Sequence, residues 1–116
     1  IGVSKEDTIK ALVTMAKRHV TKGMKVEVEV ENLKEFEAVL EVCPDIIMLD
    51  NMSVRDISKA VKIRNAQPYR TKPLLEASGG ITLKNVRQIA RTGVDIISIG
   101  SLTHSVRSLD VSLEII

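Results

Sequence analysis

Aromatic side chains are nearly missing from this chain: one Phe, one Tyr and no Trp, 2% of the residues. Any core must therefore be built from Val, Ile, Leu and Ala, which suits parallel strands buried on both faces. Cys43 is the single cysteine, so a disulfide framework is excluded and a reduced, cytoplasmic setting is expected. No apolar run approaches the ~18 residues of a membrane-crossing helix, and no signal-peptide pattern is visible. Neither sign of charge dominates, with 17 Lys and Arg against 15 Asp and Glu and a net charge of +2. That balance gives no reason to expect a nucleic acid or an anionic membrane as partner. Small-molecule partners are expected instead.

What is present is an ordinary globular composition, 44% hydrophobic and 28% charged over 116 residues. It is enough for one domain with one core. The first residue is Ile1 rather than Met, inside loop-like sequence, and we read the chain as part of a longer polypeptide.

Periodicity divides the chain into alternating helices and strands. Residues 5–20 read as a helix, with Ile9, Leu12, Val13, Ala16 and Val20 at helical spacing, Ser4 as N-cap, Asp7 at the capping-box position and Gly23 as its end. Residues 26–30 alternate with period two and read as a strand. Asn32 caps a second helix with Glu35 in the box position; Leu33, Phe36, Val39 and Leu40 form its buried stripe and Pro44 stops it. Ile46–Leu49 is a second strand, ending at Asp50. Ser53 caps a third helix, with Asp56 in the box position and Ile57, Ala60 and Val61 facing inward. Residues 67–72 form a polar loop, 73–76 a third strand, and Thr82 caps a fourth helix of Val86, Ile89 and Ala90 that Gly93 ends. Val94–Ile99 is the last clear strand. Beyond His104 the pattern is ambiguous, with Asp110 able to cap a short terminal helix. Such alternation with short connections predicts an α/β fold with a parallel sheet and right-handed crossovers. Four strands cannot close a barrel, since eight is the usual count. The sheet is therefore either open or one part of a parallel β/α barrel.

The residues able to carry chemistry collect at strand ends. Glu27, Glu29 and Glu31 share one strand face. They are either the wet side of an edge strand or a set of carboxylates pointing into a barrel interior, where an unpaired charge is costly. Glu29 lies nearer the C-terminal end, where barrel sites are built. Asp50 ends the second strand and could hold a metal or sugar hydroxyls, or serve only as a turn residue. Ser78, Gly79 and Gly80 follow the third strand, and Ile99, Gly100 and Ser101 close the fourth. Glycine there lets backbone N–H groups approach an anion, and the helix opened by Thr82 adds partial positive charge. A plain turn also uses Gly-Gly, but two such ends side by side favour a phosphate. His104 stands just beyond and is equally readable as structural or as a phosphate ligand. His19 reads as a solvated residue at a helix C-terminus. Cys43 and the four methionines read as structural, and Arg64, Arg70 and Lys72 as a solvated basic face.

Four segments together, Lys25–Asn32, Ile46–Ser53, Leu75–Thr82 and Thr92–Asp95 through Gly100–Ser105, resemble quinolinate phosphoribosyltransferase in its own order. The resemblance covers nearly the whole chain. It implies that residues 1–116 are the C-terminal portion of an incomplete TIM-like barrel of about four βα units. The family's N-terminal sandwich domain and first barrel strands are then absent. It implies transfer of a phosphoribosyl group from phosphoribosyl pyrophosphate to quinolinate, with Mg²⁺ and loss of pyrophosphate and CO₂, giving nicotinate mononucleotide on the route to NAD. It assigns Glu29 and Asp50 to the ribose hydroxyls and the Mg-bound substrate. Ser78, Gly79, Gly80, Ile99, Gly100 and Ser101, with His104 beside them, fall to the 5-phosphate. The cationic residues that grip quinolinate lie upstream of Ile1 in the family, so this segment alone is expected to be inactive. A homodimer or higher homo-oligomer is expected through the full-length chain. Two rivals stand beside this reading: a paralogous, molybdenum-transport-associated homologue with another acceptor, and a non-catalytic fragment retaining a phosphate cup.

Overall fold

The computed structural model describes Gly2 and residues 4–99 with their side chains, and the backbone of residues 102–105 and 114–115. Four helices and six strands follow in the order α1 (Lys5–His19), β1 (Glu27–Val30), α2 (Leu33–Val42), β2 (Ile46–Asp50), α3 (Val54–Asn65), β3 (Leu74–Ser78), α4 (Val86–Arg91), β4 (Ile96–Ile99), β5 (Leu102–Ser105) and β6 (Glu114–Ile115). The strands lie side by side in sequence order. β1 to β4 are parallel in register, with Glu29 beside Met48, Met48 beside Glu76, and Asp50 beside Ser78 beside Ser98. Parallel neighbours in sequence order, joined by right-handed crossovers, put their helices on one face of the sheet. The α/β class and the parallel sheet expected from the sequence are thus present.

Three of the predicted caps form. Ser4 Oγ accepts from Asp7 N at 3.0 Å, Asn32 Oδ1 from Glu35 N at 2.9 Å, and Ser53 Oγ from Asp56 N at 3.1 Å. Each satisfies a backbone donor that the first helical turn leaves without a partner. Glu35 turns back to accept Glu31 N at 3.0 Å and also takes Lys5 Nζ at 2.7 Å, which ties α1 to the head of α2.

The core lies between the sheet and its helices. Val30, Phe36, Val39, Ile47, Leu49, Ala60, Leu75 and Ala77 are fully enclosed. Full burial of one Val, Leu, Ile or Phe side chain is worth about 1.5–3 kcal/mol. A buried ion pair locks the bottom of this layer: Arg64 Nη1 meets Asp95 Oδ2 at 2.5 Å, and the same oxygen accepts Leu75 N at 2.9 Å. Arg64 also donates to Pro73 O at 3.1 Å. Reading Arg64 as part of a solvated basic face is therefore wrong. Its partner lies 31 residues away, outside any local pattern.

Other expectations need correction. The stripe of α1 is largely exposed, with Val13 alone buried and Leu12 at 58% exposure, because α1 packs chiefly on α2. Gly23 does not end that helix; α1 stops at Val20 and Gly23 serves the following turn at φ 91°. Thr82 does not cap α4. Its carbonyl heads a turn that accepts Val86 N at 2.9 Å, and the six-residue α4 starts after Asn85 without a side-chain cap. The sheet is also not wholly parallel. β5 returns antiparallel to β4, and β6 antiparallel to β5. Asp110 and its proposed terminal helix lie outside the described residues.

Candidate functional site

The face of the sheet that carries no helices is polar. Because strand side chains alternate, β1 presents Glu27 and Glu29 there, β2 Ile46, Met48 and Asp50, β3 Leu74, Glu76 and Ser78, and β4 Ile96 and Ser98. At the C-terminal edge, Asp50, Ser78 and Ser98 stand in one row of the register. Glu29 lies one strand over and two residues back from Asp50. Strand spacing puts the two Cα atoms roughly 8 Å apart, a distance a ligand can span between two carboxylates. Neither the Glu29 nor the Asp50 carboxylate has a hydrogen bond or ion pair among the described residues.

At this edge the turn after β3 is pressed against the turn after β2. Gly79 and Gly80 both take left-handed backbone, at φ 79° and 66°. A methyl group on Gly79 would meet Asp50 Oδ1 at 3.0 Å, and one on Gly80 would meet Asn51 Oδ1 at 2.8 Å. Glycine is thus required twice over, by conformation and by the approach of the Asp50-Asn51 pair. The sequence suggested only that glycine lets the backbone near a ligand. On its far side the turn is held by Asn85, whose Nδ2 donates to Gly80 O at 2.9 Å while its Oδ1 accepts Thr82 N at 2.7 Å. The N–H groups of Gly79 and Gly80 find no protein acceptor among the described residues, and both glycines are exposed. Neighbouring backbone donors in left-handed conformation, next to a hydroxyl, are groups of the kind that can accept an anion. The helix-end contribution expected from Thr82 is not available, because α4 is short and begins further on.

One residue on this face was not singled out as a site candidate from the sequence. Glu76 is buried in the middle of β3, where Ser98 Oγ donates to its Oε2 at 2.5 Å. Glu27 approaches from β1. Partial burial, a hydrogen bond to Glu76 and the charges of Glu76 and Glu29 push the Glu27 carboxyl up to about 7. Glu27 remains solvent-exposed along one side. A glutamate inside the otherwise apolar segment Leu74-Leu75-Glu76-Ala77, in phase with Asp50 and Ser78, was the available clue.

Of the sequence candidates, the fold brings Glu29, Asp50, Ser78, Gly79 and Gly80 to one edge, and Ile99 ends the adjoining β4. Gly100 and Ser101 lie outside the described residues. The backbone of His104 stands opposite Ile97 in β5, and its side chain lies outside the described residues. No group of three or more His, Cys, Asp or Glu among the described residues could enclose a metal. A lone pair of carboxylates fits Mg²⁺ only in the manner in which that ion usually binds, shared with substrate phosphates and its own waters. No helix among the described residues is long and apolar enough to cross a membrane.

Residues 3–114 match the family model described as quinolinate phosphoribosyl transferase, C-terminal domain. The chain belongs to this family. It is 46% identical over 110 residues to the protein of Methanocaldococcus jannaschii named "Probable nicotinate-nucleotide pyrophosphorylase [carboxylating]", covering 93% of this chain and 39% of that protein. The nicotinate-nucleotide pyrophosphorylase [carboxylating] of Mycobacterium leprae is 44% identical over 89 residues, 77% of this chain and 31% of that one. Among solved structures, the nicotinate-nucleotide pyrophosphorylase of Francisella tularensis superposes with a TM-score of 0.67 at 43% identity, over 79% of this chain and 31% of that chain. The chain spans about three tenths to two fifths of the length of these relatives.

Proposed function

We propose that this chain supplies the phosphoribosyl half of the active site of a carboxylating nicotinate-nucleotide pyrophosphorylase. Such an enzyme moves the phosphoribosyl group of phosphoribosyl pyrophosphate to quinolinate, releasing pyrophosphate and CO₂ and forming nicotinate mononucleotide for NAD synthesis. The observation that carries the reading is the contact between Asp50 and the Gly79-Gly80 turn, which sets a carboxylate beside two N–H donors, none of them with a hydrogen-bond partner among the described residues, in a chain of this family. A phosphorylated sugar needs both kinds of group, acceptors for its hydroxyls and donors for its phosphate.

In this reading Ser78, Gly79 and Gly80 anchor the 5-phosphate, joined by Ile99, Gly100, Ser101 and His104 from the neighbouring strand end. Glu29 and Asp50 accept the ribose hydroxyls and hold the metal-bearing pyrophosphate. Were Mg²⁺ brought by the substrate, Glu29 and Asp50 would help to hold it, and it would supply charge neutralisation for the pyrophosphate. The protein's work is positioning and charge placement, since ribosyl transfer through a cationic sugar centre needs little covalent help. The two carboxylates favour positive charge growing on the ribose, and the 5-phosphate anchor fixes the ring against them. Residues 1–116 serve as the C-terminal part of the barrel domain, in a cytoplasmic homodimer or higher homo-oligomer, and do not turn over quinolinate by themselves.

The test is nicotinate mononucleotide formation by the full-length polypeptide. Asp50→Asn and Glu29→Gln should each lower kcat by about 10²–10³-fold, the usual cost of removing one preorganised electrostatic group. Unchanged turnover in both variants would remove the carboxylates from the mechanism.

A further inference from the structure

Two non-glycine residues among the described ones have left-handed backbone, Cys43 at φ 46° and Asn51 at φ 53°. Cys43 is explained by its place as the C-cap of α2. Asn51 caps nothing; the cap of α3 is Ser53. Its backbone N–H instead donates to Ser78 O at 2.7 Å, the last rung between the ends of β2 and β3. Its side-chain oxygen reaches over Gly80 so closely that a methyl group there would meet it at 2.8 Å. Asn51 therefore touches the glycine turn with both main chain and side chain, while Asn85 holds the opposite side of the same turn.

We infer that Asn51 is a positioning residue for the phosphate ester: its carboxamide, packed over Gly80, clamps the Gly79-Gly80 turn sterically in the double left-handed conformation, in which neither N–H has a protein acceptor among the described residues. The inference rests on the phosphoribosyl reading of this edge and deepens it. Without the clamp the two glycines, the most permissive residues in the chain, are free to leave the double left-handed state. The anion site is then assembled only on binding, and affinity falls by the fraction of time the turn is competent. The effect should be seen in binding of the phosphorylated substrate and not in the chemical step.

The experiment uses the full-length polypeptide, ribose 5-phosphate as a metal-free probe, and the variants Asn51→Gly and Asn51→Ala. Glycine accepts the left-handed backbone and lacks the carboxamide, so it separates the two reasons for an asparagine. We expect Asn51→Gly to keep its melting temperature, to bind ribose 5-phosphate about tenfold more weakly, and to raise KM for phosphoribosyl pyrophosphate with kcat and the KM for quinolinate nearly unchanged. A cycle of Asn51→Gly, Gly80→Ala and the double variant should be non-additive, because Asn51→Gly removes the atom that Gly80→Ala strikes. If Asn51→Gly binds the probe as tightly as the native protein and only Asn51→Ala is impaired, asparagine is present for its backbone alone and the inference is overturned. If the native protein does not bind ribose 5-phosphate, the phosphoribosyl reading itself fails, and the inference falls with it.

Discussion

On the helix-covered face of the sheet, Val30, Ile47, Leu49, Leu75, Ala77 and Ile97 are all buried. One residue along each strand, on the other face, stand Glu29, Met48, Glu76 and Ser98. Neighbours in sequence thus have opposite tasks, because strand side chains alternate. The covered face spends its residues on stability, and the ion pair of Arg64 with Asp95 beneath its helices is buried and hydrogen-bonded. The open face keeps carboxylates and hydroxyls, of which Glu76 and Ser98 are buried against each other and Glu29 and Asp50 are more accessible. Its C-terminal edge is where the left-handed glycines, Asn51 and Asp50 meet. Apolar burial and the row of polar strand ends are divided by the sheet plane.

Breaking the covered face should cost most. Arg64→Ala removes the guanidinium from a buried carboxylate and should destabilise by about 3–5 kcal/mol in denaturant unfolding. Leu49→Ala, which opens a cavity under the helices, should cost about 2–5 kcal/mol. Met48→Ala, adjacent in sequence but on the open face, should cost about 1 kcal/mol or less. Equal losses at positions 48 and 49 would erase the distinction between the faces. Gly80→Ala forces an L side chain into the left-handed region, at about 1–2 kcal/mol, and drives it against Asn51. It should weaken binding of phosphorylated ligands more than its modest stability loss suggests.

The smallest effect concerns pH. Glu27 is raised to about 7 in the folded protein by burial and by its hydrogen bond to Glu76. Its protonated form is therefore favoured by folding. The stability it contributes is fully present below the ordinary glutamate range and is lost as pH rises through about 7. Glu27→Gln should remove that loss, flattening thermal stability between about pH 4.5 and 7, the span between the two values. Glu35, lowered by its hydrogen bonds to Lys5 and Glu31 N, acts in the opposite sense. Its contribution is present at neutral pH and declines as pH falls through its depressed value, so Glu35→Gln should weaken the protein at neutral pH and matter less in acid.

The fold was legible where the signal is local. Caps at Ser4, Asn32 and Ser53 and the periodicity of β1 to β4 and α2 to α3 need only neighbouring residues. What the sequence hid depends on distant partners. Arg64 finds Asp95, Glu76 finds Ser98, and Gly80 is restricted by Asn51, all through contacts that the parallel register creates. The failed stripe of α1 has the same origin, since helical spacing marks a surface as apolar without saying which element covers it. For the site, the carboxylates and glycines were visible as strand ends. Asn51 and Glu76 were not singled out, because an asparagine in a turn and a glutamate in a strand have ordinary explanations until their surroundings are known.

The central claim is that the open face binds a phosphoribosyl ligand at its C-terminal edge with the help of Asp50. Calorimetric titration of phosphoribosyl pyrophosphate into the full-length polypeptide, with and without Mg²⁺, tests it most directly. Saturable binding that strengthens with Mg²⁺ is expected, with a loss of most of that Mg²⁺ dependence in Asp50→Asn and ribose 5-phosphate binding largely kept. Binding indifferent both to Mg²⁺ and to Asp50 would contradict it.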